Sequence, residues 1–236
     1  MAVSAGDVAV GGIVVAAGMG QRLGTPSPKA LLEVGGIPLV RHAVRTLVAA
    51  GLGSPVVVHP ADHRSGFADA LRGDEVTLVP GGASRTDSVR AGVAALGPGP
   101  TIVAVHDAAR PLVPVDVVRR TVSAVTGDVL AAAPAVRVAD TLKQVDGDTV
   151  VATVDRTGLR GVQTPQVFPR EVLDDVLACP GDATDELTLV ERGIAEGRLL
   201  GRVVVVAGSA FGMKVTFPED LAIVEALARV QQEAAT

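Results

Sequence analysis

The feature that most constrains this chain is a series of short, almost unbroken apolar runs, each followed by a longer stretch of helical character. The runs cover 12–17, 55–58, 75–79, 102–105, 129–134 and 202–206. They are continuous rather than alternating, as in strands covered on both faces. Helical segments are expected at about 38–50, 84–96, 114–126, 169–178, 186–196 and 218–233. Pro38, Pro114 and Pro218 stand at starts of these segments, where proline is tolerated. Strand–helix alternation predicts an α/β fold: a doubly wound, mostly parallel sheet with right-handed crossovers. Residues 136–160 break the pattern with two short β-rich runs around Asp146-Gly147-Asp148, a hairpin signal. An isolated ribbon is marginal unless it packs on something, so an arm reaching a neighbour is better supported than a solvent flap. The chain thus reads as one domain over 1–236 with an inserted β-hairpin arm at 136–160.

Composition removes several function classes. The chain has no Trp, no Tyr and four Phe, which argues against recognition by aromatic cages or base stacking. Its net charge of -5 disfavours a nucleic-acid backbone as partner. Cys179 is the one cysteine, which excludes an intrachain disulfide or a Cys-rich zinc site and reads as a small filler. The opening residues lack a basic secretion-signal start, and no uninterrupted apolar stretch suffices to cross a bilayer. A cytoplasmic protein without a membrane partner is the expectation.

The chemistry concentrates in a few segments. The first strand runs into Ala16-Ala17-Gly18-Met19-Gly20-Gln21-Arg22-Leu23-Gly24. A glycine-rich turn there lets backbone N–H groups approach phosphate oxygens. The Gly-Lys-Ser/Thr of a phosphate-binding P-loop is missing, and the third glycine comes one residue late for a dinucleotide fingerprint. A redox cofactor site is therefore disfavoured. Loop amides with Arg22 and Lys29, the latter stiffened by Pro28, form a coherent triphosphate cradle. Pro80-Gly81-Gly82-Ala83-Ser84 makes a strand-to-helix turn with Ser84 as cap, and Gly82 and Ser88 can offer polar groups to a nucleobase edge. Asp107, directly after an apolar strand, falls at the carboxyl edge of the sheet, where α/β ligands bind. A buried carboxylate there needs a partner, either Arg110 or a metal ion. His106 is read as a satisfied neighbour, and Asp185 and Glu186 as charges suited to a helix start.

In order, AAGMGQRLG, SPKALL, GGASRTDSV, VHDAARPLV, DTLK, VDRTGL, QTPQVF, TDE and MKVTFPEDL resemble the 2-C-methyl-D-erythritol 4-phosphate cytidylyltransferases over about residues 12–230. The resemblance implies a nucleotide-diphosphosugar-transferase-like fold, a homodimer joined by exchanged β arms, and CTP used with Mg²⁺. It implies catalytic roles for Arg22 and Lys29 at the triphosphate and for Arg156 and Lys214 at the acceptor phosphate. By the same resemblance, Gly82 and Ser88 surround the cytosine, and Asp107 and Arg110 form the floor near the acceptor hydroxyls and the metal, whose ligands stay unassigned. Thr141, Thr164 and Thr184 are implied as further acceptor contacts, with Thr141 and Arg156 serving the partner subunit's site from the arm. The chain departs from the family pattern at Ala83, where many members are acidic.

The chemistry so implied is attack of a phosphate monoester on the α-phosphate of CTP, which needs charge neutralisation and in-line geometry but no general base. Two rivals stand beside it. One is a cytidylyltransferase for another polyol phosphate, such as ribitol 5-phosphate; the other is a non-catalytic nucleotide-binding dimer.

Overall fold

A computed structural model of the chain describes residues 9–20 and 27–233. In chain order the elements are β1 (Val10–Val15), β2 (Glu33–Val34), β3 (Ile37–Pro38), α1 (Leu39–Ala50), β4 (Val56–His59), α2 (Arg64–Ala70), β5 (Thr77–Pro80) and α3 (Arg85–Ala95). There follow β6 (Ile102–Asp107), α4 (Val115–Ser123), β7 (Val129–Arg137), β8 (Leu142–Asp146), β9 (Thr149–Val154), β10 (Arg160–Val162) and β11 (Gln166–Pro169). The chain ends with α5 (Arg170–Ala178), α6 (Glu186–Ala195), β12 (Arg202–Ala207) and α7 (Pro218–Glu233).

Eight strands form the main sheet, in the order β5-β4-β1-β6-β11-β7, with β12 on the far side of β7 and β10 beside the end of β7. The pairs β1–β4, β1–β6, β4–β5 and β7–β12 are parallel. Only β10 and β11 run against their neighbours. The expected mostly parallel α/β sheet is therefore present. The two reversed strands were not foreseen: β11 is four residues long and bracketed by Pro165 and Pro169, so it carries no long apolar run.

Both faces of the sheet are covered. On one, Ile13, Val58, Val105 and Phe168 pack against Val89 of α3, Leu173 of α5 and Leu187 of α6. On the other, Val14, Val57 and Ala104 meet Val44 and Leu47 of α1, Phe67 of α2 and Val117 of α4. Strands sandwiched in this way must be apolar at every position, which is why the sequence runs do not alternate. Helix α2 was also not foreseen; its seven residues carry one buried anchor, Phe67, whose full burial stabilises by about 1.5–3 kcal/mol. A third cluster, with Val34, Leu39, Leu112, Val215 and Val224, seats α7 on the β2–β3 hairpin.

Within the region 136–160 a β-hairpin forms, as expected. Strands β8 and β9 pair only with each other. The two-residue turn is Gly147-Asp148, with Gly147 at φ 55, a left-handed value that favours glycine at the first turn position. The arm's valines are largely open: Val145 is 55% exposed, Val150 57% and Val151 60%. Among the described residues no helix is long and apolar enough to cross a membrane.

Candidate active site

The parallel strands β1, β5 and β6 end at one edge of the sheet, and their following loops enclose an open cleft of about 290 Å³. Ala16, Ala17 and Gly18 line it from β1, Gly82, Ala83 and Ser84 from the β5–α3 turn, and Asp107 from β6. Arg85 and Ser88 from the start of α3, with Lys29 and Lys214 from more distant segments, also line it. Ligands of α/β sheets bind at such carboxyl edges.

Glycines at 81 and 82 are required by close approach. A Cβ on Gly81 would lie 2.6 Å from that of Ala17, and one on Gly82 would lie 2.3 Å from that of Asp87. The β5 turn therefore lays its backbone directly against the Ala17 methyl that follows β1 and against Asp87 of α3. The Gly82 N–H donates to Ser88 Oγ (3.2 Å), and that hydroxyl donates to the Ser84 carbonyl (2.9 Å). Ser84 caps α3 as expected, its Oγ accepting from the Asp87 N–H at 3.1 Å.

Asp107 is the electrostatic centre, 5% exposed. Arg85 Nη1 donates to its Oδ1 and Lys214 Nζ to its Oδ2, both at 2.7 Å. Burial alone would push this carboxyl up. Arg85, Lys214 and, more weakly, Arg110 outweigh burial and hold it well below the usual carboxylate range. Arg85 also donates through Nη2 to Oε2 of Glu186 (3.0 Å), which is 1% exposed. Burial raises the Glu186 carboxyl, and Arg85 offsets part of that rise. Lys29 Nζ donates to the Val215 carbonyl at 2.8 Å, tying the segment after β1 to the one that carries Lys214.

The sequence candidates separate into groups. Ala16, Ala17, Gly18, Lys29, Gly82, Ser88, Asp107 and Lys214 line the cleft together. Gly20 is described but is not among the lining residues, and Arg22 lies outside the described residues. Arg110 is not the main partner of Asp107. Its Nε stands 3.9 Å from Oδ2, while its amino groups donate to the Gly212 (2.7 Å) and Val162 (3.2 Å) carbonyls, so it pins two loops beneath the site. Thr164 is likewise turned to the framework, its hydroxyl accepting from the Asp107 N–H at 3.0 Å and meeting His106 Nδ1 at 2.8 Å.

Three candidates lie apart from the cleft within one chain. Thr184 is exposed just before Asp185, the cap of α6. Thr141 is exposed at the root of the arm, and Arg156, past its end, donates to the Val138 and Ala139 carbonyls. His106 is the satisfied neighbour it was read as: fully buried, with Nε2 at 3.2 Å from the Arg110 carbonyl. A carbonyl only accepts, so Nε2 carries the proton and Nδ1 accepts from the Thr164 hydroxyl. Arg85 and Glu186 went unrecognised as site residues. The only local signal was an arginine at the first position of a helix that begins beside the glycine turn.

Known proteins resemble this chain in sequence and fold. A family model described as 2-C-methyl-D-erythritol 4-phosphate cytidylyltransferase matches residues 10–230. The chain is 46% identical to the enzyme of that name from Saccharopolyspora erythraea, with 91% of this chain and 97% of the relative covered. It is 45% identical to the one from Nocardia farcinica, with 94% of each covered. The crystal structure of the Thermus thermophilus enzyme superposes with a TM-score of 0.76 at 32% identity, over 92% of this chain and 98% of that one. With a mostly parallel α/β sheet, a glycine-lined cleft at its carboxyl edge and these relatives along nearly its whole length, the chain belongs to the 2-C-methyl-D-erythritol 4-phosphate cytidylyltransferase family.

Proposed function

We propose that the chain transfers CMP from CTP to 2-C-methyl-D-erythritol 4-phosphate, releasing pyrophosphate and forming 4-diphosphocytidyl-2-C-methyl-D-erythritol for isoprenoid biosynthesis by the non-mevalonate route. The observation that carries this reading is the convergence of Lys29, Arg85 and Lys214 on a backbone-lined cleft whose one buried carboxylate is Asp107. A phosphate oxygen of the acceptor attacks the α-phosphorus of CTP. A new P–O bond forms, the bond to the bridging α–β oxygen breaks, and its electron pair leaves on pyrophosphate. The acceptor phosphate is ionised at neutral pH, so no side chain must remove a proton. The protein's task is to bring anions together in line and neutralise them. Lys29 and Arg22 serve the triphosphate, Lys214 the acceptor phosphate, and the β1-loop amides with Gly82 and Ser88 the nucleotide.

Mg²⁺ would enter this cleft with the CTP phosphates. Among the described residues no three metal-ligating side chains cluster, and Asp107 is the single ionised carboxylate on the cleft. Magnesium that works with nucleotides takes one or two protein carboxylates and fills its shell with phosphate oxygens and water. Both Asp107 oxygens already accept from Arg85 and Lys214, so the ion would be held chiefly by the CTP phosphates and would supply further neutralisation of them.

The exposed arm supports a homodimer in which the partner subunit's Thr141 and Arg156 reach this cleft, since in one chain neither lines it. The same reading makes the protein cytoplasmic. Phosphorus NMR of CTP, Mg²⁺ and each acceptor tests the assignment. Methylerythritol phosphate should yield a new phosphodiester signal with pyrophosphate, and ribitol 5-phosphate should not. Absence of pyrophosphate release with both would return the chain to a silent nucleotide-binding dimer.

A further inference from the structure

A negative charge in the first turn of α6 would explain Glu186 if the side chain met water, where such charges gain from the helix dipole. It does not, being 1% exposed, and a carboxylate so buried costs several kcal/mol unless its partners are well placed. Its placement is set by the framework. Oε1 of Gln166 on β11 accepts from the backbone N–H groups of Glu186 (3.1 Å) and Leu187 (3.3 Å). Nε2 of the same side chain donates to Asp185 Oδ2 at 3.1 Å. Gln166 sits across from Val105 on β6, the strand that ends in Asp107. The spacing between Glu186 and Asp107 is thus fixed by two paired strands.

Arg85 fills that space and joins the two carboxylates. Its Nε is buried without a hydrogen-bond partner, so its guanidinium is oriented only by Nη1 on Asp107 and Nη2 on Glu186. Arginine prefers to take both oxygens of one carboxylate in a fork. Here it takes one, because the other amino group is held by Glu186. The second Asp107 oxygen is left to Lys214, whose side chain is 40% exposed at the cleft.

We infer that Glu186 is a positioning residue for nucleotidyl transfer: by holding one amino group of Arg85 it keeps Arg85 single-handed on Asp107, and so leaves an Asp107 oxygen to fix the Lys214 ammonium at the cleft. The inference rests on the proposed reaction for its catalytic consequence, and on the contacts alone for its structural one.

The test uses the full chain with Glu186→Gln, which keeps shape and loses charge, and Glu186→Asp, which keeps charge. With CTP and methylerythritol phosphate, Glu186→Gln should lower kcat by roughly 10- to 100-fold, the loss typical of a misplaced catalytic group, while KM for CTP barely moves. Glu186→Asp should recover part of that loss. Independently, the chain has three lysines, Lys29, Lys143 and Lys214, so ¹⁵N-lysine NMR can follow the Lys214 ammonium. Its hydrogen-bonded signal should be present in the wild type and lost in Glu186→Gln. A kcat for Glu186→Gln equal to wild type, or one that falls only in step with the folded fraction in thermal melts, overturns the inference. So does an unchanged Lys214 signal. Wild-type protein that turns over neither acceptor defeats the proposed reaction instead, and the ammonium signal then decides the Glu186 contact by itself.

Discussion

Burial acts in opposite senses on two adjacent side chains at the end of β6. It lowers the His106 imidazole from 6.5 to about 4, with the neighbouring Arg110 cation adding to the effect and Asp107 opposing it. Asp107 is instead held below its ordinary range, because its cations outweigh burial. Between pH about 6.5 and 4 the unfolded chain protonates this histidine and the folded chain does not, so acid destabilises by about 3 kcal/mol across that window. The Asp107 contribution is present above its unfolded value near 4 and is lost as pH falls further. Urea midpoints in metal-free buffer should therefore drop from pH 7 to 3. Glu186, raised by burial, works in the opposite direction, so the His106 ring shift is the cleaner readout. It should stay flat until near pH 4, and a midpoint close to 6.5 would contradict the buried, neutral imidazole. Lys29 permits a sharper test of chemistry. Lys29→Ala removes one hydrogen bond to Val215, worth about 1 kcal/mol, and one cation from the cleft. Stability should change little while turnover falls on the order of 10²-fold or more, since removing one donor aimed at developing charge commonly costs that much. Unchanged turnover removes Lys29 from the reaction.

Among the described elements, the arm strands β8 and β9 pair only with each other and stand outside the main sheet. Across the β8–β9 ribbon Leu142 faces Val154 on one side and Val145 faces Val150 on the other, and Val145, Val150 and Val151 are largely exposed. Two strands without a core are marginal in water, and the proposed homodimer would cover these valines. Val150→Asp should weaken self-association by at least about 10-fold, equivalent to about 1.4 kcal/mol, and sedimentation velocity would show monomers where the wild type sediments as a dimer. Circular dichroism should be unaltered, because the ribbon shares no ladder with the main sheet. If Val150→Asp stays dimeric, the contact lies elsewhere. The hairpin was legible in advance because its cue is local: a turn dipeptide between β-branched runs. Strands β1, β4, β6 and β12 were legible for the same reason, as apolar runs that only a doubly covered strand explains. Strand β11 and helix α2 were not. Both are short, and their identity comes from what they pack on: Gln166 and Val167 between β6 and β7, and Phe67 beneath β4.

At the scale of the molecule, the site joins local signals to contacts that no window of sequence contains. Gly82, Lys29 and Asp107 announced themselves through a tight turn, a stiffened cation and an acid after an apolar strand. Arg85 and Glu186 did not, because their meeting spans 101 residues and depends on Gln166 docking α6 against β11. Arg156, proposed to reach the cleft of a partner subunit, would belong to the same class. That proposal can be tested without a crystal. If each cleft takes Lys214 from its own chain and Arg156 from its partner's arm, Arg156→Ala and Lys214→Ala dimers are each inactive. Exchange of subunits between them gives mixed dimers with one cleft carrying both defects and the other carrying neither. Random exchange makes about half of all dimers mixed and restores one cleft in each, so about a quarter of wild-type activity should return. A cleft assembled within one chain predicts no recovery, since every subunit then carries a defect of its own. Recovery that grows with time after mixing and plateaus near a quarter would establish the exchange, whereas activity that stays at the level of the separate variants would confine Arg156 to its own subunit.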